Sequence, residues 1–124
     1  MILEKFYTIV SKEVLEEEIS FLFHIQINNE HQIFEGHFPD NPIMPGVCMM
    51  QITKDLVQSI SGNILFMKKC TNVKFMAIIN PNVNKDLELQ LNFKRNDDDE
   101  ILVSNITKFD DTVALKLTAL YKKL

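Results

Sequence analysis

One histidine lies in the densest cluster of proline and glycine in the chain. The segment FEGHFPDNPIMPGV, residues 34–47, holds three of the four prolines and two of the three glycines, and His37 stands among them. Imidazole titrates near neutral pH and can move protons in catalysis. Because proline fixes φ and restricts the residue before it, we expect a loop of set shape. The pattern alone leaves two interpretations open, a positioned base or an ordinary loop.

The other two histidines carry no such signal. His24 alternates out of an apolar face and His31 lies in a polar turn, so both are expected to be structural. Three separated histidines without cysteine or acidic partners at ligand spacing do not predict a metal site. Cys48 and Cys70 form no metal-spaced pair, and we expect free thiols.

Alternating apolar residues predict antiparallel strands around one helix. The predicted strands cover 19–27, about 71–79, 86–93, 101–108 and 112–121. Between the first two, apolar residues recur at spacings of three and four, which predicts a helix over Val47–Ile60 that stops at Gly62. A single helix in an otherwise antiparallel β chain predicts one α+β domain over 1–124, with the helix laid across the apolar face of the sheet.

Composition narrows the class of protein. The 124 residues are 46% hydrophobic and 24% charged, which is typical of globular domains. The net charge of -4 argues against nucleic-acid binding. No apolar run approaches the length needed to span a membrane, and the N-terminus shows no secretion signal, so we expect a cytoplasmic location.

The order of residues in one segment resembles a known family. GHFPDNPIMPGV, residues 36–47, closely resembles the GHFPxxPxxPGV signature of the (3R)-hydroxyacyl-acyl-carrier-protein dehydratases, and INNEHQIF and VKFMAIINP also resemble that family. The resemblance runs from about residue 21 to 91. It implies a hotdog fold, a curved antiparallel sheet wrapped around a central helix. It also implies elimination of water from a 3-hydroxyacyl thioester without a metal or redox cofactor.

The resemblance assigns roles to residues of the motif. His37 would take the proton from C2 of the substrate, and the amide of Gly46 would hold the thioester carbonyl. A bare amide at a helix N-terminus, backed by the helix dipole, suits a developing enolate oxygen. Neighbouring residues of the motif would contact the substrate: Phe38, Pro45 and Val47.

One position departs from the family pattern. The family carries a carboxylate fourteen residues after the histidine to handle the leaving hydroxyl, whereas this chain has Gln51. An amide can position a hydroxyl but cannot give up a proton. His37 could move both protons, a partner subunit could supply the carboxylate, or the protein could bind acyl chains without dehydrating them. Asp55, one turn on and about 6 Å further along the helix, is a candidate substitute.

The implied partners follow from the same resemblance. The substrate would be an acyl-carrier-protein or acyl-CoA thioester, and the protein would form a homodimer or a heterodimer with a related hotdog subunit, with catalytic groups from both chains. Two alternatives to an active dehydratase remain, a catalytically impaired carrier-binding subunit and a hotdog acyl thioesterase. Lys68, Lys69 and Lys74 form either a solvated surface or a landing site for an acidic carrier protein.

Overall fold

The computed structural model describes residues 4–36 and 42–124, and within them six strands form one antiparallel sheet with one long helix. In chain order the elements are β1 (Tyr7–Glu16), β2 (Ser20–Ile27), a short 3-10 helix (Gln32–Phe34), α1 (Gly46–Ser61), β3 (Leu65–Phe75), β4 (Asp86–Arg95), β5 (Ile101–Phe109) and β6 (Thr112–Lys123). The strand order is β1-β2-β4-β5-β6-β3, and every neighbouring pair is antiparallel. The α+β prediction is confirmed.

The central strands show why the sequence pattern works. In β4, Leu87, Leu89 and Leu91 are fully buried, whereas Asp86 and Glu88 between them are exposed. Alternation of this kind puts one face of a strand into the core and the other into solvent. Strands β4, β5 and β6 follow one another as the predicted meander.

Helix α1 lies against the apolar face of the sheet. Its buried residues join the inward residues of the strands in one core: Cys48, Met49, Ile52, Thr53, Leu56 and Val57. A buried hydrogen bond ties the helix to the sheet, since Asn105 Nδ2 of β5 donates to Thr53 Oγ1 at 2.8 Å. The helix stops where predicted, because Gly62 takes the left-handed conformation with φ of 73° and donates its N–H to Gln58 O.

The two edge strands were predicted poorly. Strand β1 was not predicted, and β3 spans Leu65–Phe75 rather than 71–79. Both strands are edges of the sheet and are largely exposed, so their sequences lack the alternation that marks a half-buried strand. Residues 76–79 instead form a connection in which the N–H groups of Met76 and Ala77 donate to Ala114 O.

Two further features of the described residues bear on the sequence predictions. Cys48 and Cys70 are free thiols, as predicted, the first buried and the second half-buried. Among the residues described, no helix combines the length and the apolar character that a membrane span requires.

Candidate functional site

The first two backbone N–H groups of α1 have no acceptor within the part of the chain that the structure describes. Pro45, with φ of -68° and ψ of 143°, is the N-cap and provides no side-chain hydrogen bond to the helix. The N–H groups of Cys48 and Met49 donate to Pro45 O, but those of Gly46 and Val47 have no acceptor among the described residues. Free N–H groups at a helix N-terminus, together with the helix dipole, favour a negatively charged oxygen.

Packing around Gly46 does not by itself require glycine. A methyl carbon built on Gly46 would lie 3.4 Å from Phe75 Cε2 and 3.9 Å from Val73 Cγ1, which are ordinary contact distances. The backbone of Gly46 is helical rather than left-handed, because the only described glycine with positive φ is Gly62. The packing of the described residues therefore gives no steric reason for glycine at position 46.

The predicted base and one predicted substrate contact, His37 and Phe38, lie outside the described residues. The chain on both sides of them is tied to the core. Before them, Phe34 is buried and stacks on Phe6 with ring centroids 5.5 Å apart. After them, Met44 is buried and its N–H donates to Ile79 O at 2.9 Å.

The histidines expected to be structural have structural contacts. His31 caps the 3-10 helix, because its Nδ1 accepts from the Ile33 N–H at 3.1 Å. An accepting Nδ1 leaves the ring proton on Nε2, which donates to Glu4 O at 3.0 Å. His24 Nε2 lies 3.0 Å from Asp86 Oδ1 on the exposed face of the sheet.

Gln51 belongs to a network of three side chains. Its Nε2 donates to Asp55 Oδ1 at 2.9 Å, and the hydroxyl of Tyr7 on β1 donates to Asp55 Oδ2 at 3.2 Å. Burial, with the nearby Asp55 charge as a further cause, raises the pKa of Tyr7 well above its usual range, so this hydroxyl stays a donor. The sequence predicts Asp55 as a candidate substitute acid but gives no signal for Tyr7, because β1 lacks a strand pattern.

A cavity of about 280 Å³ opens beside this network. It is lined by Val47, Met50, Gln51, Lys54 and Met67. The structure therefore brings together two predicted site residues, Val47 and Gln51, which lie one helical turn apart on one face. Val47 is 55% exposed, and Met67 of β3 also lines the cavity.

The basic stretch on β3 is only partly available for a partner. Lys68 Nζ pairs with Glu100 Oε2 at 2.9 Å, and this hydrogen bond raises the pKa of Lys68. Lys69 and Lys74 are exposed. Among the described residues there is no group of three His, Cys, Asp or Glu side chains placed to hold a metal ion.

A six-stranded antiparallel sheet with one long helix defines the hotdog fold, and the GHFP-type motif directly precedes that helix in the sequence. Residues 12–114 match the family model described as ApeI-like, ApeI dehydratase, and the chain belongs to this family. The match covers most of the chain and includes every predicted site residue.

Relatives of known name agree with this assignment. The chain is 32% identical over 95 residues to the 3-hydroxyacyl-[acyl-carrier-protein] dehydratase FabZ of Rhizorhabdus wittichii, covering 69% of this chain and 59% of the relative. It is 30% identical over 76 residues to FabZ of Lactococcus lactis subsp. cremoris, covering 56% of this chain and 51% of the relative. The matched region thus spans only about half to three-fifths of these relatives.

Solved structures share the fold. The dehydratase heterocomplex ApeI:P from Xenorhabdus doucetiae superposes with a TM-score of 0.70 at 18% identity, covering 93% of this chain and 97% of that one. A putative thioesterase from Silicibacter sp. TM1040 gives 0.64 at 12% identity, covering 96% and 79%. At such low identities these matches establish the hotdog fold alone.

Proposed function

We propose that this protein is a 3-hydroxyacyl-thioester dehydratase that eliminates water from an acyl chain carried on acyl carrier protein or coenzyme A. The observation that carries the proposal is the arrangement of backbone N–H groups at the start of α1. The ordered motif of residues 36–47 ends where the helix begins, and the Gly46 and Val47 amides are left without acceptors among the described residues. A thioester enolate needs such donors.

The reaction requires one proton to leave C2 and one to reach the 3-hydroxyl. His37 removes the C2 proton while the Gly46 amide stabilises the enolate oxygen of the thioester. The electron pair then forms the C2–C3 double bond and the C3–O bond breaks. The imidazolium of His37 gives its proton to the departing oxygen, so water leaves and His37 is neutral again.

A histidine that moves both protons fits the chemistry of position 51. An amide supplies no acid there, and the Asp55 carboxylate is already engaged by Gln51 and Tyr7. In this proposal Gln51 binds the 3-hydroxyl rather than protonating it. Phe38, Pro45 and Val47 contact the acyl thioester, and Val47 does so from the wall of the cavity.

The proposed assembly is a homodimer or a heterodimer with a related hotdog subunit. Strand β3 is an edge of the sheet and exposes Phe66, Val73 and Phe75, each at least 39% accessible. A second chain on this edge would bury these side chains and extend the sheet. The structurally similar ApeI:P is a heterocomplex, which supports the second alternative, a heterodimer.

The lysines of β3 that are not paired with a carboxylate of the described residues would attract the carrier protein. Lys69 and Lys74 are exposed, and an acidic carrier protein would be steered towards them. A cytoplasmic location belongs to the same proposal.

A second candidate function is a carrier-binding subunit that does not catalyse dehydration. The observation that favours it is Gln51, since losing a general acid typically costs about 10²- to 10⁴-fold in rate. A thioesterase is not favoured, because only a fold-level similarity points to it.

An assay of product identity tests the proposal. Purified protein is incubated with a 3-hydroxyacyl-carrier-protein substrate, and the enoyl thioester and the free carrier thiol are both measured. We expect enoyl product from the native chain and none from His37→Ala. Enoyl product absent from the native chain would support the binding subunit, and release of free thiol would support the thioesterase.

A further inference from the structure

The carboxylate of Asp55 accepts one hydrogen bond on each oxygen. Gln51 Nε2 donates to Oδ1 at 2.9 Å, four residues away on the same helix, and the Tyr7 hydroxyl donates to Oδ2 at 3.2 Å from strand β1. All three side chains are half-buried. The carboxylate is therefore held from two sides, by the helix and by the sheet.

This contact determines which end of the Gln51 amide faces the cavity. The two ends of an amide have nearly the same shape, but one donates and the other accepts. Because a carboxylate is an acceptor, the NH₂ end of Gln51 faces Asp55 and its carbonyl oxygen is held away. That oxygen has no hydrogen-bond partner among the described residues, and Gln51 lines the cavity beside Val47.

Tyr7 contributes by fixing the carboxylate. It belongs to an edge strand whose other side chains are exposed, yet its own side chain is half-buried beneath the helix. A donor on Oδ2 limits rotation of the carboxylate and keeps Oδ1 available to Gln51. The amide is thereby oriented by the fold before any ligand arrives, which lowers the entropy lost on binding.

We infer that Tyr7 and Asp55 are positioning residues that hold the Gln51 carbonyl towards the cavity as an acceptor for the 3-hydroxyl of the substrate. The site thereby recognises 3-hydroxyacyl chains over saturated ones. This inference rests on the proposed function. It also suits the proton transfer proposed above, since a hydroxyl that donates to Gln51 turns its lone pairs elsewhere, where His37 can protonate them.

Binding of unreactive ligands tests the inference apart from catalysis. The probes are 3-hydroxyacyl and saturated acyl pantetheine analogues of equal chain length, with an amide in place of the thioester so that C2 is not acidic enough for elimination. Dissociation constants are measured by calorimetry for the native chain and its variants. We expect the native protein to prefer the hydroxylated ligand about tenfold, the worth of one hydrogen bond.

The variants separate orientation from folding. In Asp55→Ala and Asp55→Asn the preference should fall to within about twofold, because an asparagine amide can face either end of Gln51. Tyr7→Phe should give an intermediate preference. Asp111→Ala, a matched change in the exposed turn between β5 and β6, should leave the preference intact. Circular dichroism verifies the fold, and Asp55→Asn decides if Asp55→Ala does not fold.

Each possible result either supports or overturns the positioning role of Tyr7 and Asp55. No preference in the native protein, or a full preference in folded Asp55→Asn, overturns the inference. If Asp55→Asn keeps the binding preference but loses turnover, Asp55 is a proton donor and the positioning role is wrong. If the native protein shows the preference but forms no enoyl product, the proposed dehydration fails while the positioning role stands.

Discussion

At the scale of single residues, the proposed site depends on Gln51 of α1. Its amide already lies 2.9 Å from a carboxylate oxygen of Asp55. A carboxyl group introduced at this position would therefore sit beside a second carboxylate, and two such groups cannot both ionise easily. A glutamate introduced at position 51 would therefore have a raised pKa.

Substitution of Gln51 tests this electrostatic property. We expect Gln51→Glu to raise the dehydration rate by about 10- to 100-fold, because a carboxyl group with a raised pKa can protonate the leaving hydroxyl. The rate should acquire a new decline on the alkaline side of its pH profile, measured by steady-state assays. In the double variant with Asp55→Asn that decline should move to lower pH. Unchanged or reduced activity in Gln51→Glu would show that a carboxyl group at this position does not protonate the leaving hydroxyl.

A second residue-scale property concerns the first turn of the helix. Cys48 is fully buried, and burial raises the pKa of its thiol from 9.0 to about 11. Well below pH 9 the thiol is protonated in both folded and unfolded chains, so its titration does not lower the free energy of unfolding there. Between pH 9 and 11 the unfolded chain loses this proton first, and the free energy of unfolding falls.

Urea denaturation at several pH values measures this loss. A shift of this size corresponds to roughly 2–3 kcal/mol between pH 9 and 11. Cys48→Ala should lack that part of the decline. The tyrosines with raised pKa values add to the loss above about pH 10, so the comparison is made between native and variant. Parallel curves for the two proteins would show that Cys48 does not titrate as stated.

The site was predictable to the extent that its residues lie in local patterns. Gly46 and Gln51 are found by motif and count, and Asp55 by helical spacing. Tyr7 is not, because it reaches Asp55 from a strand 48 positions earlier in the chain. A pairing over that distance leaves no periodic signal in the sequence.

At the scale of elements, prediction succeeded where one face of an element is buried. The ends of α1 lie within one residue of the predicted range, and β4 shows the alternation that predicted it. The edge strands β1 and β3 were missed or displaced because exposure on both faces removes that alternation. Their pairing with β2 and β6 is set by the sheet as a whole.

Strand β6 contains a buried polar group without a hydrogen-bond partner in residues 4–36 and 42–124. Tyr121 is fully buried, and its hydroxyl has no hydrogen-bond partner among the described residues. Burying a hydroxyl without a partner is costly, so we expect Tyr121→Phe to raise the free energy of unfolding by about 1 kcal/mol. Tyr7→Phe, which removes a hydroxyl that does have a partner, should lower it by a similar amount.

Denaturant titration of these two tyrosine variants provides the measurement. The opposite signs are the informative result, because both changes delete the same atom. A destabilised Tyr121→Phe would mean that the hydroxyl has a partner in solution, such as a bound water molecule or a second chain.

At the scale of the whole molecule, the sheet ends at β3 with exposed apolar side chains. We expect Val73→Glu to prevent pairing of this edge with a second chain, because like charges brought together across an interface cost several kcal/mol. Size-exclusion chromatography should show the native protein as a dimer and the variant as a folded monomer. In the dehydration assay the variant should have little activity, because the implied site takes catalytic groups from both chains. The control is Val83→Glu, the same change in a loop where the residue is 75% exposed, and this variant should remain dimeric. A monomeric native protein at micromolar concentration would contradict the homodimer and leave only the heterodimer with a related subunit.

The proposed activity is the reversible removal of water across C2 and C3 of a 3-hydroxyacyl thioester. Incubation of the native protein with a 3-hydroxyacyl-carrier-protein substrate in heavy-oxygen water tests it directly, because each cycle of dehydration and rehydration replaces the 3-hydroxyl oxygen with one from solvent. We expect heavy oxygen at the 3-hydroxyl by mass spectrometry, and none with His37→Ala. An unlabelled hydroxyl, or label found only in a released carboxylate, would contradict it.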